Sequence, residues 1–100
     1  MKYGISDENL NLLKNIFEKY DTIEEVILYG SRAKGNYSDR SDIDLAVKGN
    51  GIDRHLIGAV SLEISDSDFP FKIDLQDISE INNLKLLEHI NRVGQIFYKK

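Results

Sequence analysis

The residues of this sequence that are best suited to chemistry are three aspartates and a glycine–serine pair. Asp42 and Asp44 stand two positions apart at the start of an apolar segment, and Asp74 lies in a second, alternating segment. Side chains two apart on a strand share one face, so Asp42 and Asp44 leave the core together. Carboxylates this close repel one another unless a cation lies between them. The pair is compatible with a cation site, although a lone Asp-x-Asp is more often a solvated strand edge.

Asp74 strengthens the prediction of a cation site. Its neighbours Ile73 and Leu75 point to the opposite face of their segment. If the segments that carry Asp44 and Asp74 are neighbours in one sheet, the three carboxylates converge on one surface. Oxygen ligands without a nearby histidine or cysteine suit Mg²⁺ or Mn²⁺ better than zinc. Two such ions, about 3.5–4 Å apart, are typical of phosphoryl and nucleotidyl transfer.

The glycine–serine pair, Gly30 and Ser31, directly follows the β-branched apolar run 26–29. Glycine permits a sharp turn, and the N–H groups after it, with the serine hydroxyl, can hold phosphate oxygens. A Gly-Ser pair alone marks a turn far more often than a phosphate site. A P-loop does not fit, because the lysine that it requires is missing. The pair therefore indicates phosphate binding only in combination with the three aspartates.

The elements that position these residues follow from the spacing of the apolar side chains. Helical spacing predicts helices over 6–20 and 52–65, and a third that Ser79 caps and Gly94 ends. The inner face of the third helix is predicted to be Ile81, Leu84, Leu87 and Ile90. Alternation and β-branched runs predict strands over 26–29, 43–48, 71–76 and 96–98. Residues 31–35 can form one helical turn.

The sheet is predicted to be mixed. The link between the first two strands is shorter than the dozen or so residues that a parallel crossover needs. Those strands are therefore expected to be antiparallel. The element order then predicts an α+β fold.

Composition bounds the class of protein. A chain of 100 residues predicts one domain over 1–100, with one core. The absence of cysteine excludes a thiol nucleophile and a thiolate metal site, and it fits a cytoplasmic protein. No apolar run approaches the ~20 residues of a membrane span, and no signal peptide is expected. A net charge of −4 argues against a general nucleic-acid coat.

The motif GSRAKG at 30–35, followed by SDIDL at 41–45, resembles the signature of the polymerase-β-type nucleotidyltransferases. The chain is most similar to the minimal nucleotidyltransferases (MNT) of bacteria and archaea, over nearly its whole length. The resemblance implies an α+β fold with a mixed sheet of three to four strands packed by helices.

The resemblance also implies roles for individual residues. Gly30 and Ser31 would bind the β- and γ-phosphates of ATP or another nucleotide. Asp42 and Asp44 would hold two Mg²⁺ ions, for which Mn²⁺ can substitute. Asp74 would complete the acceptor-side metal site and help to deprotonate the attacking hydroxyl.

Basic residues and histidines outside the matched motif have weaker interpretations. Arg32 is a candidate for binding and steering the triphosphate. Lys34 and Arg40 are interpreted as solvated charges. His55 and His89 stand alone in helical segments without metal-ligand spacing, and they are interpreted as surface or capping histidines.

The aromatic residues near the motif divide between core and loop. Tyr29 and Phe71 are predicted to lie in the core. Tyr37 lies in the loop between the two halves of the motif, where it either stacks on a base or is an exposed loop tyrosine.

Relatives of this family commonly pair with an all-helical HEPN protein in a toxin–antitoxin system. The resemblance therefore implies an antitoxin that transfers AMP from ATP to a tyrosine of a HEPN toxin, as a homodimer or a hetero-oligomer. The short chain agrees, because it has no second domain to hold an acceptor. An alternative is a non-catalytic, nucleotide-binding antitoxin that neutralises its partner by contact. A third interpretation, nucleotide addition to an RNA 3′ end, is disfavoured by the acidic charge.

Overall fold

The computed structural model describes all 100 residues as four strands, four α-helices and one short 3₁₀ turn. The helices are α1 (Asp7–Glu18), α2 (Ser31–Lys34), α3 (Arg54–Asp66) and α4 (Leu84–Val93). The strands are β1 (Ile23–Tyr29), β2 (Ile43–Gly49), β3 (Ile73–Asp77) and β4 (Gln95–Lys99). The 3₁₀ turn, Ile78–Glu80, directly follows β3. None of the helices combines the length and apolar composition that crossing a bilayer requires.

The four strands form one mixed sheet in the order β3-β2-β1-β4. β1 is antiparallel to both β2 and β4, whereas β2 and β3 are parallel. Only α2 and a loop join β1 to β2, and α3 supplies the crossover between the parallel strands. The predicted mixed sheet and its antiparallel first pair are confirmed.

Helices cover the two faces of the sheet unequally. A cluster of 17 buried residues lies beneath α1 and α3 and includes Phe17, Leu45 and Val60. The opposite face has a cluster of four, Tyr29, Ala46, Ile81 and Ile90, beneath α4. Asp44 lies two residues before Ala46 on β2, so its side chain projects from this thinly covered face.

Polar side chains cap the first and third helices. The Ser6 hydroxyl accepts a hydrogen bond from the Asn9 N–H at 3.2 Å, as its position before α1 predicted. Asp53 does the same for α3, accepting from the Leu56 N–H at 2.8 Å. These caps satisfy N–H groups that have no partner within the helix.

The last helix differs from its prediction. Ser79 does not cap it, because residues 78–80 form the 3₁₀ turn and α4 begins only after Asn83. The Asn83 side chain accepts from the N–H groups of Lys85 and Leu86 and fixes this later start. Leu84, predicted to face inward, is 79% exposed. The inner face is formed by residues 86, 87, 89, 90 and 93, so the predicted inward positions of Leu87 and Ile90 are confirmed. Ile81, which precedes the helix, is buried as predicted.

Two strand boundaries also differ from the prediction. β1 begins at Ile23, which is fully buried, although two glutamates follow it. β3 begins at Ile73 and not at residue 71. Pro70 has no N–H to donate, and Phe71 packs under the guanidinium of Arg32.

Candidate functional site

A row of three side chains crosses the thinly covered face of the sheet. The register pairs Asp44 on β2 with Tyr29 on β1, and Asp44 again with Asp74 on β3. Residues directly opposite one another on adjacent strands share a face. Asp44 is partly buried and Asp74 is exposed. The strands of Asp44 and Asp74 are therefore neighbours, which is the condition that the sequence analysis set for the carboxylates to converge.

Asp42 lies just outside the row. It is exposed and precedes Ile43, the first residue of β2. Its carboxylate is near enough to Asp44 that its charge raises the pKa of Asp44. Asp42 therefore belongs to the same acidic surface without being held by the sheet.

The pKa of Asp44 shows that the site disfavours an additional negative charge. Burial raises it above its ordinary value, and the charges of Asp74 and Asp42 raise it further, while His89 lowers it. Ionised Asp44 is therefore less stable here than in water. A cation placed on this face would relieve that cost.

Gly30 places the turn after β1 against the Asp44 carboxylate. Its backbone has φ 77° and ψ −157°, a conformation that residues with a side chain rarely adopt. A methyl group on Gly30 would lie 2.2 Å from Oδ2 of Asp44. Ser31 follows as the first residue of α2, where N–H groups have no partner within the helix. The predicted phosphate-binding turn and the predicted metal ligands are thus adjacent.

His89 is a residue of the site that sequence reasoning missed. It was interpreted as a surface or capping histidine, but its Nε2 accepts the Gly30 N–H at 3.1 Å. Its ring also meets Tyr29 edge to face, with the ring centres 6.2 Å apart. Counting the helical face from Leu86 would have placed His89 inside.

Tyr29 is buried, as predicted, but its hydroxyl is not satisfied. The side chain is 4% exposed, and the hydroxyl oxygen is buried without a hydrogen-bond partner. Burial raises the pKa of Tyr29 to about 12, with further contributions from the charges of Asp74 and Asp44. The hydroxyl therefore remains protonated and close to both carboxylates.

Arg32, a sequence-based candidate for triphosphate binding, is almost fully buried, and its guanidinium bonds to the fold itself. Only 2% of it is exposed. Its guanidinium donates to the Tyr3 carbonyl at 2.8 Å and twice to the Ser41 carbonyl, at 2.9 and 3.1 Å. It also lies over the rings of Phe71 and Tyr37, at 4.5 and 5.1 Å. These contacts fix the residue that precedes Asp42.

Tyr37 fits neither of its two predicted roles. It is half-buried, and its ring lies over Arg32. A methyl group on Gly4 would approach its ring to 2.5 Å. Tyr37 therefore helps to enclose the guanidinium and is not a free loop tyrosine.

The donor chemistry of this surface fits a divalent cation, although the ligands are not gathered. Asp42, Asp44 and Asp74 offer only carboxylate oxygens, which Mg²⁺ and Mn²⁺ prefer. Nowhere in the structure do three or more histidine, cysteine or acidic side chains form a group that could hold a metal ion. The three aspartates share a surface but not a common point.

A cavity lies beside β3, and its lining includes Gln76, whose side-chain amide contacts Asp74. It encloses about 580 Å³ between the start of α3 and the end of β3. Two acidic residues in its lining, Asp53 and Asp77, already accept backbone N–H groups as helix caps. These two carboxylates are therefore less available to a ligand than carboxylates that make no hydrogen bond.

Comparison with known proteins identifies a family and several structures with a similar fold. The family model described as "Polymerase beta, Nucleotidyltransferase" matches residues 11–100. No curated protein matches the sequence. The fold is similar to a crystal structure of a toxin–antitoxin with AMP-PNP, with TM-score 0.73 and 18% identity over 96% of this chain and 75% of that one.

Two other solved structures share the fold. One is the tri-AMPylated HEPN toxin of Shewanella oneidensis in complex with an MNT antitoxin, with TM-score 0.69, 18% identity, and coverage of 96% of this chain and 74% of that one. The other is a Sulfolobus solfataricus chain, with TM-score 0.56, 23% identity, and coverage of 100% and 90%. The predicted fold is confirmed, and because the family model spans most of the sequence, the chain belongs to the polymerase beta nucleotidyltransferase family.

Proposed function

We propose that this protein is a Mg²⁺-dependent nucleotidyltransferase that transfers AMP from ATP to a tyrosine of a HEPN toxin and acts as its antitoxin. We assign this activity to the single domain formed by residues 1–100. One observation carries the proposal: Asp44 and Asp74 stand in register on adjacent strands, and Asp44 touches the Gly30 turn. Family membership supports nucleotidyl transfer. Similar structures with AMP-PNP or an AMPylated HEPN toxin support the donor and the acceptor.

The three aspartates and the Gly30–Ser31 turn divide the reaction between donor and acceptor. Asp42, Asp44 and Asp74 would hold divalent cations, which neutralise the triphosphate and polarise its α-phosphorus when bound. The Gly30–Ser31 turn binds the β- and γ-phosphates through its N–H groups and the serine hydroxyl. The tyrosine oxygen attacks the α-phosphorus, the bond to pyrophosphate breaks, and Asp74 receives the tyrosine proton.

The exposure of Asp74 favours an acceptor that comes from outside the chain. It lies on β3, an edge strand, and its side chain is open to solvent. Asp44 and Gly30, by contrast, are partly buried. A partner protein can therefore bring a hydroxyl to Asp74 while ATP occupies the side near Gly30.

A labelling experiment tests the proposal. The protein, a HEPN toxin, Mg²⁺ and ATP labelled at the α-phosphate should yield a toxin labelled on tyrosine. Asp44→Asn should reduce the rate by about 100-fold or more, because charge stabilisation worth several kcal/mol is lost. Asp68→Asn is the matched control, since Asp68 is exposed and makes no hydrogen bond through its side chain. An unlabelled toxin, or equal labelling with Asp44→Asn, would contradict the proposal.

A second candidate function is neutralisation by contact alone. The observation that favours it is the dispersed position of the three aspartates, which form no ready-made ligand group. Expressing the HEPN toxin with an Asp42→Ala, Asp44→Ala double variant separates the two functions. Growth rescue equal to that of the wild type would favour contact, whereas loss of rescue with retained complex formation would favour catalysis.

A further inference from the structure

The Tyr29 hydroxyl is the one buried side-chain nitrogen or oxygen in the molecule that has no hydrogen-bond partner. A buried hydroxyl without a partner destabilises the folded chain, because it has given up water and gained nothing. A phenylalanine would fill the same space without this cost. The orphaned hydroxyl therefore points to a partner that is absent from the free protein.

The ring of Tyr29 cannot turn outward to find that partner in solvent. It packs with Ala46, Ile81 and Ile90 in the smaller core cluster. The edge of the His89 ring also holds it, and the Gly30 N–H in turn fixes His89. The partner must therefore come to the hydroxyl, from a neighbouring group that is free to move.

Asp74 is the neighbour that is free to move. The Asp44 carboxylate is already packed against Gly30. The Asp74 carboxylate is exposed, and its one hydrogen bond is a long contact of 3.4 Å from the Gln76 amide. Of the two carboxylates, Asp74 also raises the pKa of Tyr29 more.

We propose that Tyr29 is a positioning residue whose hydroxyl donates a hydrogen bond to the Asp74 carboxylate when that carboxylate turns inward in the loaded site. The bond fixes one oxygen of Asp74 and leaves the other free for the cation and the acceptor hydroxyl. This inference rests on the proposed function. It explains why a buried polar group is retained beside the aspartate row.

Tyr29→Phe tests the inference, because it removes the hydroxyl and keeps the ring. The metal-free variant should unfold at the same temperature as the wild type or higher. It should bind Mn²⁺, measured by calorimetry, roughly tenfold more weakly, the low end for losing a hydrogen bond to a charged group. Its kcat for AMP transfer should fall by a similar factor, with KM for ATP within about twofold of the wild type.

Tyr20→Phe is the matched control. The Tyr20 hydroxyl donates to Glu63 at 2.8 Å, where it links α1 to α3 on the opposite face of the sheet. Removing it breaks an existing hydrogen bond, so Tyr20→Phe should lower the unfolding temperature. Mn²⁺ affinity and kcat should remain at the wild-type values.

A double-mutant cycle identifies the partner. In an Asp74→Asn background, Tyr29→Phe should change Mn²⁺ affinity by less than about twofold, because the acceptor of the hydrogen bond has lost its charge. A tenfold loss in that background would overturn the assignment to Asp74.

The outcomes also separate this inference from the proposed function. An active wild type with unchanged Mn²⁺ affinity and kcat in Tyr29→Phe overturns the inference alone. So does a fall in the unfolding temperature as large as that of Tyr20→Phe, which would mean that the hydroxyl already has a partner. A wild type that neither binds Mn²⁺ nor transfers AMP overturns both.

Discussion

At the scale of single residues, the site depends on one position that admits only glycine. Gly30 has a positive φ of 77°, and a methyl group there would meet the Asp44 carboxylate at 2.2 Å. Backbone strain and a steric clash therefore oppose every other residue. The close approach also sets the distance between the turn after β1 and the Asp44 carboxylate.

Gly30→Ala should lower both stability and activity. Strain at a positive φ costs about 1–3 kcal/mol, and displacement of Asp44 should reduce AMP transfer by more than about tenfold. Urea unfolding and the labelling assay measure the two effects. Gly58→Ala is the control, because Gly58 lies in α3 with open space around its Cα and should gain about 0.5–1 kcal/mol. Similar stability changes in both variants would contradict the prediction.

Asp44 predicts a pH dependence with a defined sign. Its pKa is raised in the folded protein by burial and by its acidic neighbours, so folding favours its protonated form. The contribution of Asp44 to stability is therefore fully present below its ordinary pKa and is lost as the pH rises through its folded value. Asp44→Asn should be more stable than the wild type at pH 7, and urea unfolding should show this gain vanish below the ordinary value of 3.8.

Asp68→Asn is the control for this pH series. Asp68 is exposed, so its substitution should leave the pH profile of stability unchanged. A loss of stability at pH 7 in Asp44→Asn would contradict the expected sign. The comparison would also show that removing a site residue can stabilise the fold while it abolishes activity.

At the scale of elements, Arg32 connects segments that are distant in sequence. Its guanidinium binds carbonyls of the N-terminal segment and of the loop before β2, and it is stacked between two aromatic rings. A buried charge is tolerated here because every contact supplies a partner dipole or a ring face. α2 thus anchors the loop that presents Asp42.

Arg32→Lys should destabilise the protein by about 2–3 kcal/mol, because a lysine cannot reproduce the two hydrogen bonds to Ser41 or the stacking. Urea unfolding measures this loss. Arg40→Lys, at an exposed position, should change stability by less than about 0.5 kcal/mol. If Arg32 instead bound triphosphate, Arg32→Lys would raise KM for ATP and leave stability unchanged.

The elements also show what the sequence could predict. Alternation in the strands and the short link after Gly30 were sufficient to predict the mixed sheet, whereas the pairing of Asp44 with Asp74 was only a condition that the structure meets. The phase of α4 was not predictable from apolar spacing, because the Asn83 cap moves its start and exposes Leu84. The structural role of Arg32 was missed because its partners lie in three separate segments. Local sequence patterns do not predict contacts between segments that are so far apart in the chain.

At the scale of the whole molecule, most of the buried core lies on one face of the sheet and the candidate site lies on the other. The face beneath α1 and α3 buries the large cluster, and the face beneath α4 carries the small cluster and the aspartate row. Most of the apolar burial that stabilises the fold therefore lies on the face opposite the aspartates and the Tyr29 hydroxyl, which destabilise it. The fold can tolerate the repelling carboxylates and the unpartnered Tyr29 hydroxyl, because the opposite face supplies most of the stabilising burial.

The hydrogen bond from Gly30 to His89 spans 59 positions of sequence. During synthesis, β1 and its glycine turn emerge from the ribosome long before α4 exists to cover them. The nascent chain can therefore pair β1 with β2 while this face is still open, but its larger core closes only when Phe97 and Tyr98 of β4 follow α4. Enclosure of the Gly30 turn is then a late folding event, because a chain that ends before α4 has no His89 to accept its N–H.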